Sequence, residues 1–308
     1  KAKAFAVNIY PVGAVSKKAE GKDLAEMYDM RQSGAIAFSD GIKTVQNSGL
    51  VLKALQYVKS FDGTIIQIPD DSSIGTNGLM NEGLVSTQMG LPGKPILAEE
   101  LMVARDLKLA RYADSKIHFT GISSPKSLEY IKRSKESGIK VSSSITAYQV
   151  YFCDEDLQGY DTNLKLNPPL RTRADMMAIK NALLDGSIDC IASHHLPQHW
   201  DNKVCEFEYA KPGMIALETM FAVMLSCGLS AEDFVQMQTI NIRNIFGLPI
   251  PEIKEGEAAS LTLFVPGAEF TFEEHMIRSK SKNSPFIGRQ LKGKVIGIIN
   301  KSNIQLNN

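Results

Sequence analysis

The sequence predicts an α/β fold in which parallel strands alternate with helices, followed by a small β domain. Short apolar runs alternate with amphipathic segments as far as residue 248, and the connections between them are short. Such alternation is typical of a parallel sheet covered by helices. From residue 249 onward, short β segments and turns replace the helices. We therefore predict two domains, a parallel α/β domain at 1–248 and a β-sandwich-like domain at 249–308.

Six apolar segments predict the strands of the first domain, at 4–15, 34–40, 63–70, 115–123, 139–146 and 187–193. Helices are predicted between them, at 23–33, around 50–58, and at 99–113, 124–138 and 173–184. The second helix has its apolar residues on one face: Leu50, Val51, Ala54, Leu55 and Val58. Ser124 followed by Pro125 predicts a helix start, with the serine as N-cap and the proline in the first turn.

Polar side chains follow the ends of these strands: Asp40, Asp70, Ser123, Thr146 and His194. In a TIM-type (β/α)8 barrel, the carboxyl ends of the strands form the face that carries the active site. The competing open sheet loses support because neither glycine-rich nucleotide-binding pattern occurs. A barrel needs eight strands and the sequence predicts six. Because the chain starts in mid-pattern without a methionine, we expect the first two strands to be missing.

Composition limits the possible functions. Lysine plus arginine and aspartate plus glutamate both number 34, so the formal net charge is zero. This balance argues against binding to nucleic acid or to a membrane surface. Four cysteines without a C-x-x-C pair indicate reduced thiols and a cytoplasmic location. The apolar stretch 213–229 is short for a membrane span and predicts a buried helix.

Several long motifs resemble dihydroorotase, a member of the amidohydrolase superfamily. They include "FSDGIKTVQNSGL", "NEGLVSTQMGLPGKP", "YDTNLKLNPPLRTRAD" and "SKSKNSPFIGRQLKGKV", and the resemblance extends over nearly the whole chain. It implies a metal-dependent hydrolase barrel that closes and opens the dihydroorotate ring in pyrimidine synthesis. The family's first strand carries an H-x-H metal pair followed by an arginine, and this sequence has neither.

The resemblance also implies which positions should bind metal. Asp40 matches the family's bridging carboxylate, but "IPDD" places Ile68 where a ligand histidine is expected. In "HFTGIS", His118 matches the first histidine of the motif and Gly121 replaces the ligand. In "SHHLPQ", His194 replaces the aspartate that is both ligand and general base. Because isoleucine and glycine offer zinc no side-chain donor, we expect no binuclear centre and no resident cofactor. Zinc would be expected only if the family chemistry survives.

Two further positions are carried over as substrate contacts. Asn167 stands in the intact "KLNPPLR" motif, whose asparagine contacts the pyrimidine ring in the family. Gln198 stands where the family has a histidine, and we predict a substrate contact there too. For Asn167, a role in the shape of the loop alone stays open. No catalytic residue is assigned, although His194 occupies the position of the family's catalytic aspartate.

The histidine-rich segment allows other interpretations. His194, His195 and His199 could form a relocated metal site, but Pro197 makes the regular helix that would align them improbable. A packing role for these histidines is the alternative. A Ser193–His194 nucleophile pair lacks the G-x-S-x-G pattern, and neighbouring residues on a strand point to opposite faces.

Three functions therefore compete. The leading hypothesis is a catalytically inactive dihydroorotase-like protein with a structural role in assembly. The resemblance implies aspartate transcarbamoylase as its partner, because inactive homologues associate with that enzyme, and we also expect a homo-oligomer. The second hypothesis is an active dihydroorotase or another cyclic amidohydrolase with a reduced metal site. The third is a metal-free module that binds a small ligand around Asn167.

Overall fold

A computed structural model describes residues 6–307. Six parallel strands form one sheet in chain order: β1 (Val12–Gly13), β2 (Ala37–Phe38), β3 (Thr64–Gln67), β6 (Lys116–Thr120), β7 (Val141–Thr146) and β8 (Cys190–Ala192). A short parallel pair, β4 (Met80–Asn81) and β5 (Gly93–Lys94), lies between β3 and β6 along the chain. This order is that of a TIM-type barrel, as predicted. Each strand is shorter than the sequence indicated, and residues 4 and 5 of the first prediction lie outside the described range.

The helices are α1 (Met27–Gln32), α2 (Ser48–Lys59), α3 (Leu84–Met89), α4 (Leu97–Ala113), α5 (Pro125–Glu136), α6 (Arg173–Leu184), α7 (Met220–Ser226), α8 (Ala231–Val235) and α9 (Ile242–Phe246). A π-helical turn, Gln236–Asn241, joins α8 to α9. No described helix is long and apolar enough to cross a membrane. Helices α1, α2, α4, α5 and α6 confirm the five predicted for the parallel domain.

Helix α2 buries the face that its sequence predicts: Leu50, Val51, Ala54, Leu55 and Val58. The helix begins after Asn47, whose side chain accepts a hydrogen bond from the backbone of Leu50 at 3.0 Å. The buried face shares a core with Val103 and Leu107 of α4. Full burial stabilises an aliphatic side chain by roughly 1.5–3 kcal/mol, so this stripe is enough to fix the helix on the sheet.

The predicted start of α5 is also confirmed. Ser124 Oγ accepts hydrogen bonds from the backbone of Lys126 at 3.2 Å and of Ser127 at 3.3 Å, and Pro125 is the first helical residue. Beyond the helix, Gly138 has a φ of +80°, a conformation that favours glycine and stops the helix. Helix α5 connects β6 to β7, and these two strands pair in parallel.

The outer edge of β8 is covered by side chains of the π-helical turn. Gln238 Nε2 donates to the carbonyl of Ile191 at 2.7 Å, and Asn241 Nδ2 donates to the carbonyl of Asp189 at 2.8 Å. Edge strands otherwise expose unpaired backbone groups. These amides satisfy two carbonyls of an edge strand that has no neighbour beyond it within residues 6–307.

The predicted helix between residues 213 and 229 forms only in its second half, as α7. The earlier residues make other backbone bonds: Ile215 N donates to the carbonyl of Asn283 at 3.0 Å, and Ala216 N donates to His195 Nδ1 at 3.1 Å. These amides fasten the segment beside the sheet, so they are not available to extend the helix.

The C-terminal strands form one antiparallel sheet: β9 (Ser260–Thr271), β10 (Gln290–Asn300) and β11 (Asn303–Leu306), in the order β11-β10-β9. A sandwich was predicted, but the described residues form a single sheet here. Helix α7 takes the place of a second sheet. The rings of Phe221 on α7 and Phe264 on β9 are 4.9 Å apart, and the backbone at Gly293 lies against Phe221 and Leu225.

Candidate functional site

The carboxyl ends of the parallel strands surround a cavity of about 440 Å³. This volume is within the range of small-molecule sites. Its apolar lining includes Val12, Ile42, Ile66, Ile68, Leu166 and Leu196. Its polar lining includes Ser39, Thr120, Tyr148, Asn167, His194 and His195. The structure therefore brings Ile68, Asn167 and His194 together at the face where the sequence placed them.

His194 reaches across the mouth of the barrel. It follows β8 with a φ of +41°, in the left-handed region that few non-glycine residues adopt. This conformation turns the side chain toward β6, where its Nε2 lies 2.8 Å from Thr120 Oγ1. Burial lowers the pKa of His194 to about 4, so the ring is neutral at neutral pH.

The His194 ring fills the space beside Gly121. Gly121 has a φ of +75°, and a Cβ built there would overlap Cε1 of His194 and lie 3.2 Å from its Nδ1. Gly121 and the His194 ring are therefore sterically complementary. A larger residue at 121 needs both a different backbone conformation and the removal of the His194 ring.

A chain of hydrogen bonds connects His194 to His118 inside the sheet. Thr120 Oγ1 lies 2.9 Å from Ser144 Oγ, and Ser144 Oγ lies 3.1 Å from His118 Nε2. The other nitrogen of this ring, His118 Nδ1, lies 2.8 Å from Ser142 Oγ. Burial lowers the pKa of His118 to about 4. Both nitrogens of this neutral ring are occupied by hydroxyls, so His118 has a partner for its donor and for its acceptor.

Asp40 is buried and its carboxylate is used by the chain itself. Oδ1 accepts from the backbone of Val15 and of Ser16, each at 2.9 Å, and Oδ2 is bonded to Ser16 Oγ. These bonds fasten the segment after β1 to the end of β2. Asp40 thus has the role of a loop anchor in this structure, and it does not line the cavity.

The residues that the resemblance places at metal-ligand positions do not fit a zinc pair. Ile68 and Gly121 carry no side-chain donor atom, the carboxylate of Asp40 accepts three hydrogen bonds, and Nε2 of His194 is bonded to Thr120. Within residues 6–307, no group of three or more histidine, cysteine, aspartate or glutamate side chains is placed to hold a metal ion. The arrangement can offer hydrogen bonds to a ligand, but it lacks a donor set for zinc.

Asn167 lies at the rim of the cavity and contacts two charged residues. Its Oδ1 accepts from Lys94 Nζ at 2.9 Å and its Nδ2 donates to Asp70 Oδ2 at 3.1 Å. Lys94 and Asp70 also form an ion pair at 2.6 Å. Sequence reasoning missed Lys94 because nothing in its local pattern connects β5 to residue 167. The predicted substrate contact of Asn167 stays a prediction, and a ligand would have to share its amide with this pair.

The other residues of the histidine-rich segment support loops. His195 Nδ1 accepts from the backbone of Ala216 and Leu217, at 3.1 and 3.3 Å. Gln198 Nε2 donates to the carbonyl of Pro212 at 2.8 Å, and its predicted substrate contact remains a prediction. His199 is exposed and lies outside the cavity, with Nδ1 3.2 Å from Asp201 Oδ2. The structure therefore does not bring the three histidines to one point.

A buried polar network lies behind the cavity, between β4 and the start of α5. Arg171 donates from Nε to Ser123 Oγ at 2.9 Å and from Nη1 to Asn81 Oδ1 at 3.0 Å. It lies 3.6 Å from the carboxylate of Glu99, which also accepts from the backbone of Ser123 and Ser124. Arg171 belongs to the intact "KLNPPLR" motif, which is the signal that could have identified it.

Comparison with known proteins connects this geometry to a family. The amidohydrolase family profile matches residues 69–304, and the dihydro-orotase-like profile matches residues 2–127. The dihydroorotase of Syntrophus aciditrophicus is 41% identical over 294 residues, which cover 94% of this chain and 69% of that protein. The chain belongs to the dihydroorotase family. The dihydroorotase of Geobacter sp. strain M21 is 38% identical over 309 residues, covering 99% of this chain and 73% of that protein.

Solved structures of the superfamily share the fold. L-hydantoinase (dihydropyrimidinase) from Arthrobacter aurescens superposes with a TM-score of 0.85 at 19% identity, covering 98% of this chain and 72% of that protein. The dihydropyrimidinase of Brevibacillus agri superposes with a TM-score of 0.77 at 17% identity, and the match covers 91% of this chain and 65% of that protein. These similarities confirm the barrel architecture. This member of the dihydroorotase family therefore shares its barrel fold with the two solved proteins.

Proposed function

We propose that this dihydroorotase-like protein is catalytically inactive and has a structural role in the pyrimidine biosynthesis of its cell. The observation that carries the proposal is the position of the His194 ring, which lies where a side chain at residue 121 would be. A donor side chain at residue 121 would therefore also require a change at residue 194.

The chemistry of the neighbouring positions supports the same conclusion. In the chemistry that the family resemblance implies, bound metal would activate a water molecule as the nucleophile, and a carboxylate would accept its proton. Ile68 lines the cavity with an aliphatic side chain, and Asp40 is bonded to Val15 and Ser16. No aspartate or glutamate side chain lines the cavity within the described residues, so no carboxylate is available there as the general base.

Metal content and turnover test the proposal together. The purified chain, dialysed against zinc and then against buffer, is expected to retain no stoichiometric zinc and to hydrolyse no dihydroorotate. The Syntrophus aciditrophicus dihydroorotase, handled in parallel, provides the positive control. Two results together would establish the competing hypothesis of a reduced but working metal site. The wild type and His199→Ala would retain zinc that His194→Ala loses, and the wild type would hydrolyse dihydroorotate.

The structural role implies partners. We propose that the chain assembles with aspartate transcarbamoylase and with further copies of itself, and that it acts in the cytoplasm. The family resemblance supports the first partner, and the four free cysteines support the location. Size-exclusion chromatography with light scattering, on this chain alone and mixed with the transcarbamoylase, is expected to show a complex larger than either component. Independent elution of the two proteins at micromolar concentration would contradict the assembly proposal.

A further inference from the structure

One surface loop, residues 199–211, presents exposed aromatic side chains. It carries Trp200, the single tryptophan of the chain, with 68% of its surface exposed, and Tyr209 with 73% exposed. Val204, also exposed, lies one turn from Trp200, because its backbone amide donates to the carbonyl of Trp200 at 2.9 Å. Tryptophan and tyrosine are, with arginine, the residues most enriched in interface hot spots. The loop therefore has the composition of a protein-binding surface.

Hydrogen bonds hold this loop in one conformation. Its base is closed by Lys211 N, which donates to the carbonyl of Asn202 at 3.0 Å. The buried Lys203 donates from Nζ to the carbonyl of Thr162 at 2.7 Å, and Thr162 Oγ1 donates to the carbonyl of Lys203 at 2.6 Å. A loop that is ordered before it binds loses less conformational entropy on association.

A cavity of about 290 Å³ lies between α7 and the C-terminal sheet, outside the barrel. Its apolar wall includes Leu217, Phe221, Phe270, Phe272 and Met276. The volume is at the lower limit of small-molecule sites, so the cavity suits one aromatic side chain better than a larger ligand. The three phenylalanines offer the ring contacts that a further aromatic side chain prefers.

The loop and the cavity carry opposite charges at their surfaces. The exposed acids of the loop are Asp201, Glu206 and Glu208. Lys211 is the one exposed cation of residues 199–211. Arg278 and Lys294, both exposed, line the cavity, whereas its carboxylate, Glu218, is half-buried and accepts a hydrogen bond from the backbone of Ser279 at 3.0 Å. Charges of opposite sign favour the approach of such a loop to such a cavity.

The loop and the cavity adjoin on one side of the protein. Asn283 holds the two ends of the loop, because its Nδ2 donates to the carbonyls of Leu196 at 3.2 Å and of Gly213 at 3.1 Å. Arg278 of the cavity is five residues before Asn283, and Leu217 is four residues after Gly213. Because the two patches are neighbours, one twofold axis can place each copy's loop at the other copy's cavity.

We propose that two copies of this chain form a twofold dimer in which Trp200 of each copy enters the cavity between α7 and the C-terminal sheet of the other. Tyr209 packs at the rim, and the acids of the loop face Arg278 and Lys294. Apolar burial supplies the affinity, and the charges determine which surfaces meet. The inference rests on the self-assembly that the proposed function includes, and it assigns the interface.

The single tryptophan makes this contact measurable. We expect its fluorescence emission to shift to shorter wavelength as the chain is concentrated from the nanomolar to the micromolar range. Sedimentation equilibrium should show the mass rising over the same range to that of a dimer. A dimer that forms without this shift would leave Trp200 exposed and overturn the inference, and so would growth beyond two copies, because a twofold contact closes at the dimer.

Two exposed tyrosines provide a matched comparison. Trp200→Ala and Tyr209→Ala are each expected to raise the dissociation constant of the dimer at least about tenfold, the effect of a hot-spot residue. Tyr112 is 76% exposed on α4, outside the loop and the cavity, and Tyr112→Ala should leave the constant unchanged. Equal constants for the two tyrosine variants would contradict the proposed interface.

Charge reversal tests which two surfaces meet. The loop variant Glu206→Lys/Glu208→Lys and the cavity variant Arg278→Glu/Lys294→Glu should each dimerise at least about tenfold more weakly, because like charges then face each other. An equimolar mixture of the two variants should recover dimerisation, since both contacts of the mixed pair join opposite charges. No recovery in the mixture would overturn the inference.

A charge control and the monomeric outcome complete the test. Lys53→Glu/Lys108→Glu makes the same change in net charge on exposed positions of α2 and α4, and it should dimerise like the wild type. A wild type that stays monomeric up to about 1 mM would overturn both the interface and the self-assembly of the proposed function. A stable dimer that is indifferent to the loop and cavity variants would overturn the interface alone. Zinc content and turnover decide the inactive assignment independently.

Discussion

His118 and His194 are connected through the hydroxyls of Ser144 and Thr120, although His118 lies on β6 and His194 follows β8, two positions away in the sheet. Both rings are neutral in the folded protein, because burial lowers the pKa of each to about 4. An unfolded histidine titrates near 6.5. The unfolded state therefore binds more protons than the folded state between pH 6.5 and pH 4.

We predict that the stability contributed by these histidines is complete above pH 6.5 and is lost as the pH falls toward 4. Between pH 7 and pH 4, the unfolding free energy of the wild type should fall by on the order of 3 kcal/mol more than that of His118→Asn. Urea denaturation across this range measures it. His275→Asn removes an exposed histidine and serves as control. A parallel pH dependence of the wild type and His118→Asn would contradict the prediction.

The fit between Gly121 and His194 predicts a large cost for Gly121→Ala. Gly138 has a similar φ of +80°, but a Cβ there meets nothing within 4 Å, so Gly138→Ala measures backbone strain alone, about 1–2 kcal/mol. Gly121→Ala should cost a further 1–3 kcal/mol, roughly the penalty of overpacking.

A double-mutant cycle isolates the contact. In the His194→Ala background, the cost of Gly121→Ala should fall to about that of Gly138→Ala, because the overlapping ring is gone. Thermal and urea unfolding of the four variants measure the coupling. Costs that simply add would show that the ring does not occupy the space beside residue 121.

Asp106 on α4 predicts an unusual stabilising substitution. Its side chain is fully buried, Oδ1 pairs with Arg105 Nε at 2.7 Å, and Oδ2 has no hydrogen-bond partner within the described structure. Burial outweighs the arginine and raises the pKa of Asp106 to about 6. A raised pKa means that stability is complete below the unfolded value of about 3.9 and is lost as the pH rises through 6.

Asp106→Asn removes the cost of ionising this buried group. We expect the variant to be more stable than the wild type at pH 8 by roughly 1–3 kcal/mol, and the difference to disappear near pH 4. Denaturation at the two pH values measures both effects. Glu252→Gln changes an exposed residue and should have no effect at either pH. A destabilised Asp106→Asn at pH 8 would show that the pairing with Arg105 outweighs desolvation.

Two arginines that are close in sequence allow the stability contribution of a buried ion pair to be compared with that of an exposed one. Arg171 is 5% exposed and contacts Ser123, Asn81 and Glu99, whereas the side chain of Arg173 is 61% exposed in its pair with Glu155. Arg171→Ala should cost roughly 3–5 kcal/mol because it leaves the carboxylate of Glu99 buried without its cation. Arg173→Ala should cost about 0–1 kcal/mol. Equal costs in urea denaturation would contradict this assignment.

Local patterns predicted the elements well because their causes are local. The apolar stripe of α2 and the Ser124–Pro125 start of α5 depend on residues within two turns of each other. The half-formed helix between residues 213 and 229 shows the limit. Its first backbone amides donate to Asn283 and His195, which are distant in sequence. The local hydrophobicity pattern does not show that these bonds compete with helix formation.

The sequence by itself determined the parallel α/β architecture and the family, because these depend on periodicity and on residue type, and it shows that residues 68 and 121 are an isoleucine and a glycine without a donor side chain. Only the tertiary structure decided that His194 lies over Gly121, that Asp40 anchors the segment after β1, and that Lys94 and Asp70 share the amide of Asn167. The physical reason is that side-chain hydrogen bonds and van der Waals contacts act over a few ångströms. Their partners here are 24 to 97 residues apart in the chain, so folding alone brings them into range.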